Sequence, residues 1–262
     1  MKRYLRLYLH FLEFSFSKAF EFRIDFTFRI IMDISYYLVA LGFFEVIYGH
    51  TFDLGGLNQA QARVFITSYL VLDAITMVLF ANNLWWFPYA VNKGELDIYL
   101  TRPVSTLFFI TLRDFSPNSM VNALISFFLL AAALIALPQS PGIHRLLTFG
   151  LLLLNGIILF NALHFFCLLF VFWLQSPEGL ADLFWGIEKV GERPDGVYSG
   201  PIKKIFTYFF PLCLVCSVPT RVLFQEDWQQ LTWVILLVSI VFYLTTLFFW
   251  NYALKTYSSA SS

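Results

Sequence analysis

The residues of this sequence that could carry chemistry are few, and their spacing excludes more reactions than it offers. His10, His50, His144 and His164 share no His-Glu-x2-His or comparable spacing that would seat a metal ion. Cys213 and Cys216 have the C-x-x-C interval. They stand, however, in Pro-Leu-Cys-Leu-Val-Cys-Ser-Val-Pro with no second pair and no flanking base, and Cys167 sits in another apolar run. Thiols so placed read as inert, because a reactive thiolate needs electropositive, partly exposed surroundings. Gly-x-Ser-x-Gly is missing, which removes the commonest serine-hydrolase elbow. No Gly-Lys dipeptide occurs, so the Gly-x4-Gly-Lys-Ser/Thr loop that cradles nucleotide phosphates is absent, and the chain cannot hydrolyse a nucleotide by itself. No metal site and no cofactor of its own is expected.

Three polar residues stand deep inside apolar runs. Asp73 lies near the middle of one, where an ionised carboxylate costs about 2.5–3.5 kcal/mol, and some ten strongly apolar neighbours return about 3–6 kcal/mol. Such a residue faces protein or water instead of lipid, as a functional group or as a hydrogen-bonding link to a neighbouring helix. His164 offers the same two readings, a proton or ligand contact against a helix–helix hydrogen bond. Asn82 is a further candidate, although Asn82, Asn83, Asn155 and Asn161 all suit interhelical bonding.

The elements that must hold these groups follow from composition. The chain has 262 residues, 59% hydrophobic and 13% charged, against about 25% charged in a soluble domain. There is too little polar surface to cover a core in water. Basic and acidic residues balance at 17 each, so no net field recruits nucleic acid. Crossing a hydrocarbon layer about 30 Å thick takes roughly 20 apolar helical residues. Six segments qualify: 28–48, 64–86, 118–137, 146–174, 205–224 (interrupted by Pro211 and Pro219) and 231–254. Continuous runs exclude a β-barrel. The expected fold is all-α, a polytopic membrane protein with six spans. Residues 28–262 form its membrane domain, and residues 1–27 form an amphipathic interfacial helix with Leu5, Leu9, Leu12 and Phe16 on one stripe and Arg3, Arg6, His10, Glu13 and Ser17 on another.

With the N-terminus inside, 14 of the 17 basic residues fall on the inner side, leaving Arg63, Arg145 and Arg221 outside, which predicts N-in and C-in. A helix starting at Ser176-Pro177-Glu178, with Leu180, Leu183, Phe184 and Ile187 on one face, is expected on the cytosolic membrane surface. The most patterned polar stretch is the inner loop Asn92-Lys93-Gly94-Glu95-Leu96-Asp97-Ile98-Tyr99-Leu100-Thr101-Arg102-Pro103. There Gly94 permits a sharp turn, Glu95 and Asp97 favour a helix start, and Pro103 ends the helix.

Lys93-Gly-Glu-Leu-Asp-x-Tyr-Leu-x-Arg-Pro103, the proline-bearing segment with Phe210-Pro211 and Val218-Pro219, and the tail Trp250-x6-Tyr257-Ser-Ser-Ala-Ser261 together resemble the ABC transporter permeases of the type-2 exporter class, in a six-span branch of this chain length. The resemblance implies a permease that pairs with a second permease, identical or related, in the cytoplasmic (inner) membrane. Two copies of a separate cytosolic ATPase would bind the ATP and Mg. It also implies that Lys93, Gly94, Glu95, Leu96, Asp97, Tyr99, Leu100, Arg102 and Pro103 form a coupling loop seated in a groove of that ATPase, with Leu96, Tyr99 and Leu100 as one contact face. The short outer loops, above all between Phe224 and Leu231, depart from exporters that carry larger external helices before the last span. An ion-coupled carrier using Asp73 or His164 is the alternative, with a membrane-embedded enzyme behind it. Besides these protein partners, membrane lipid is the expected surrounding.

Overall fold

The computed structural model describes residues 2–21 and 23–257, and the Ser258–Ser261 part of the tail lies outside them. The described residues are helical, with no strand beyond one isolated bridge between Leu54 and Leu57. In chain order the α-helices are α1 (Lys2–Glu21), α2 (Arg23–Tyr48), α3 (Gln59–Leu79), α4 (Ala81–Asn92), α5 (Leu96–Leu100), α6 (Thr106–Leu112), α7 (Ser119–Ile135), α8 (Ile143–Leu168), α9 (Val171–Leu174), α10 (Pro177–Gly191), α11 (Gly200–Lys204), α12 (Ser217–Arg221) and α13 (Trp228–Thr256).

Four helical segments, Phe26–Tyr48, Gln59–Leu79, Ile143–Leu174 and Trp228–Thr256, are long and apolar enough to cross a membrane, and α7 is a shorter apolar helix. The protein is therefore an all-helical polytopic membrane protein. Burial sorts these helices: 72% and 61% of the apolar windows of the second and third are covered by protein, but only 11% of α2 and 22% of α13. So α3 and α8 form the centre, while α2 and α13 turn bare faces outward. Sequence explains the close packing of α7 on α3. Ser119, Ala123 and Ser126 are buried on one face of α7, and small side chains let helix backbones approach, while Leu124, Phe127 and Phe128 point away.

Local signals fix the start of α3. Asn58 and Gln61 form a reciprocal capping box, with Gln61 N–H donating to Asn58 Oδ1 at 3.0 Å and Asn58 N–H donating to Gln61 Oε1 at 3.1 Å. Arg63 clamps α3 to α2 through both oxygens of Glu45, at 2.5 and 2.9 Å.

Two expectations are corrected. The segment 205–224 is not a continuous helix: it runs through a π-helical turn at Ile205–Phe209, a 3-10 turn at Leu212–Leu214 and the five-residue α12. Pro211 and Pro219 lack the N–H that a helix ladder needs, and their rings crowd the preceding turn. Nor does the Pro177 helix lie flat outside the bundle. A left-handed Gln175 (φ 51°) and Pro177 at the first helical turn reverse the chain after α9. Leu180 then joins the cluster holding Phe165 and Leu168, and Phe184 packs farther back along α8 on Phe160 and His164. Glu188 reaches Tyr69 of α3, so α10 runs back antiparallel to α8 through the bundle.

The chain from Glu192 to Asp227 consequently meets the 49–58 loop. Arg221 donates to the Gly55 carbonyl at 2.8 Å, and a Cβ on Gly196 would sit 1.9 Å from that same oxygen. Asp195, 2% exposed, ties the segment together by ion pairs to Lys203 (2.8 Å) and Arg221 (2.7 Å) and accepts a 2.6 Å hydrogen bond from Ser217. Lys189, Arg193, Lys203 and Lys204 thus leave the basic end counted from the sequence, and ten of the 17 basic residues remain there instead of 14.

Candidate functional site

One end of the bundle is built around Lys93–Pro103. α4 closes with two nested bonds: Glu95 N–H donates to the Ala90 carbonyl at 2.9 Å, and Gly94 N–H donates to the Val91 carbonyl at 3.2 Å. Gly94 between them has φ +73°, the left-handed value such a cap requires and a side chain resists. The reversal starts α5 at once and drives Leu96 inward. Leu96 is fully buried in one cluster with Leu84, Phe87, Ile110, Leu180 and Trp250, which draws α4, α6, α10 and α13 onto the loop.

Tyr99 also turns inward. Its ring meets Trp86 edge-on at 5.4 Å and Phe109 at 5.6 Å, and its hydroxyl accepts a short hydrogen bond from Arg113, whose guanidinium lies 4.3 Å over Trp86. Asp97 lies beside Tyr257 at the end of α13, where burial together with that carboxylate pushes the phenol up to about 12. The i, i+3, i+4 face expected of Leu96, Tyr99 and Leu100 therefore divides. Leu96 and Tyr99 anchor the loop internally, while Leu100, Ile98, Lys93, Thr101, Arg102 and Pro103 are exposed.

The three deep polar candidates are not brought together. Asn82 donates to Ser116 Oγ at 2.8 Å and joins α4 to the start of α7, with Asn83 bonded both ways to the backbone of Asp114 beside it. His164 stacks flat on Phe184 at 3.8 Å, a ring contact that neither of its two sequence readings named. Asp73 has no side-chain hydrogen bond or ion pair among the described residues.

Sequence reasoning missed Glu188 and Asp195, both buried and both acidic. Glu188 accepts a 3.2 Å bond from Tyr69, itself 1% exposed, at the foot of a groove of about 590 Å³ between α2, α3 and the 192–197 turn. Its walls include Tyr36, Phe43, Phe44 and Ile66, with Glu192 and Arg193 at the rim. The signal that could have found Glu188 is its place on the Leu180–Phe184–Ile187 face, where a carboxylate among apolar neighbours demands a donor. Among the described residues no group of His, Cys, Asp and Glu could hold a metal ion, and the three cysteines are buried and unpaired.

The profile of the family described as ABC-2 family transporter protein matches residues 34–261, which takes in the Lys93–Pro103 end, the groove and the 192–227 segment. The chain belongs to the ABC-2 transporter family. No curated protein and no solved structure matches it. The protein is thus an ABC transporter permease, a membrane transport subunit, and its family implies partnership with an ATP-binding subunit. α1 and the first part of α2 lie before the matched residues.

Proposed function

We propose that this permease forms the path of a dimeric ABC exporter in the cytoplasmic (inner) membrane, driven by a separate cytosolic ATPase that docks on the exposed face of Lys93–Pro103. ATP and Mg would be bound by that partner. The crossings are α2, α3 with α4, α7, α8 with α9, α10, and α13. The fifth is α10 instead of residues 205–224, with 192–227 as a plug dipping in from the outer end. At about 22 Å, α10 is short for a full crossing, and the plug makes up the remaining depth. The Lys93–Pro103 end faces the cytosol in this reading, with N-in and C-in orientation, which the remaining basic excess favours.

The observation that carries the proposal is the convergence at that end. Family membership supplies the need for an ATPase, and the Gly94 turn with the buried Leu96 supplies a rigid projection joined to four helices. A push on Ile98, Leu100 or Thr101 is transmitted through Leu96 and Tyr99 into α4, α6, α10 and α13. Two copies meeting along the bare side of α2 would enclose the groove above Glu188 between them, and rocking of the pair would open it. The permease supplies shape and partition in this scheme, and the ATPase supplies the bond chemistry.

The test is capture of the co-expressed ATPase by tagged permease. Ile98→Asp places a charge on the docking face, and capture should fall by about tenfold or more, while Gln139→Asp at the other end leaves it unchanged. Equal capture by both variants would remove the docking face.

A further inference from the structure

A cavity of about 550 Å³ lies between α1 and the chain following α5, and of its lining only Arg102 and Pro103 belong to the proposed docking face. Arg3, Arg6 and His10, spaced to share one face of α1, line it together with Arg102, and Leu7 and Phe109 give it an apolar side. α1 is locked in position there. The Tyr4 hydroxyl accepts from Ser105 N–H at 3.1 Å, the Tyr4 ring meets Phe108 edge-on at 5.0 Å, and Phe11 packs on both Phe108 and Phe109. Arg102 is held 5.6 Å over the Phe109 ring and 5.7 Å over Tyr99.

No carboxylate lines the cavity, and none of the three arginines has an ion pair among the described residues. Glu13, the next acid along α1, is engaged with His10 at 3.1 Å. Guanidiniums converging without a counter-ion repel one another, and an anion relieves that repulsion. Beside this polar face, Leu5 and Leu9 are 63% and 49% exposed, an apolar stripe that suits a helix lying at headgroup depth. Planar forks that grip phosphate oxygens in pairs, next to an apolar stripe, match a phosphodiester with acyl chains attached.

We propose that this cavity binds the phosphate of an anionic phospholipid, which thereby pins α1 against the segment carrying Arg102. The proposal needs the chain to sit in a membrane but does not need the ATPase.

The experiment incubates the full chain with mixed vesicles of phosphatidylglycerol and phosphatidylcholine in equal amounts, re-extracts it in detergent and counts retained lipid by mass spectrometry. Wild type should retain phosphatidylglycerol in preference, and Arg3→Gln and Arg6→Gln should each lower that retention about fivefold. Arg145→Gln at the opposite end should leave it unchanged, and millimolar inorganic phosphate should not displace the lipid. Both variants alter exposed side chains, and unchanged helical content by circular dichroism verifies their folding. Equal retention by the variants, no headgroup preference, or displacement by inorganic phosphate would each overturn the proposal. So would variants that keep the lipid and lose the ATPase, which would assign the arginines to an acidic protein surface.

Discussion

Tyr99 has aromatic rings on two sides and a guanidinium on its hydroxyl, and its substitution separates packing from docking. Removing this half-buried ring should cost about 2–3 kcal/mol, less than truncation of a fully buried aromatic, so Tyr99→Ala should lower the thermal midpoint of the detergent-purified chain clearly. Tyr99→Phe keeps the ring contacts, loses only the Arg113 bond and should cost about 1 kcal/mol. Equal effects of the two would mean that the rings do not hold the loop. The residue types of this site were legible in the sequence: the glycine for the turn, the acids near the helix start, and the proline after it. Their direction was not. A spacing of i, i+3, i+4 places Leu96, Tyr99 and Leu100 on one side of a long helix, but α5 has five residues and is packed from several directions. Apolar periodicity cannot tell a face reserved for a partner from one already filled by the chain itself.

At the level of elements, the contact between α8 and the turn at Leu212–Leu214 decides whether the plug seats. A Cβ on Gly156 would lie 1.9 Å from the Val215 carbonyl oxygen, and both sides of that contact are backbone. Gly156→Ala should therefore destabilise by about 1–3 kcal/mol or more and loosen the 192–227 segment, read as faster proteolysis there. Gly150→Ala on the same helix, where a Cβ meets open space, should behave as wild type. The misread elements lie in this same region. Residues 211–223 are apolar because most of them are buried in protein, while Ile205, Tyr208 and Phe209 before them stay exposed, and composition does not distinguish burial in protein from burial in lipid. α10 carries Glu178, Asp182, Glu188 and Lys189 in 15 residues, beside the apolar face of Leu180, Leu183, Phe184 and Ile187 that argued for a surface helix. The bundle instead supplies donors where two of those acids meet it, Tyr89 for Glu178 and Tyr69 for Glu188. Such long-range pairs, 89 and 119 residues apart in sequence, leave no local trace. The α2, α3, α7, α8 and α13 helices were readable because their apolar runs are long and uninterrupted.

For the whole molecule, the ends of the bundle have different builds. One gathers α1, Lys93–Pro103, Gln175 and Tyr257, and the other gathers the 49–58 loop, 137–145 and the plug. The excess of basic residues at the first end is smaller than the sequence implied, yet two charges of the second are offset, that of Arg63 by Glu45 and one of the Lys203–Arg221 pair by Asp195. The proposed docking of an ATPase on Lys93–Pro103 requires that the first end meet the cytosol. The direct measurement is site-specific photocrosslinking in intact cells, with a photoreactive residue at exposed Thr101 or at exposed Ser199. The account predicts that Thr101 captures an ATP-binding-cassette ATPase, identified by mass spectrometry, and that Ser199 captures none; ATPase adducts at Ser199, or none at Thr101 when the ATPase is present, would contradict it.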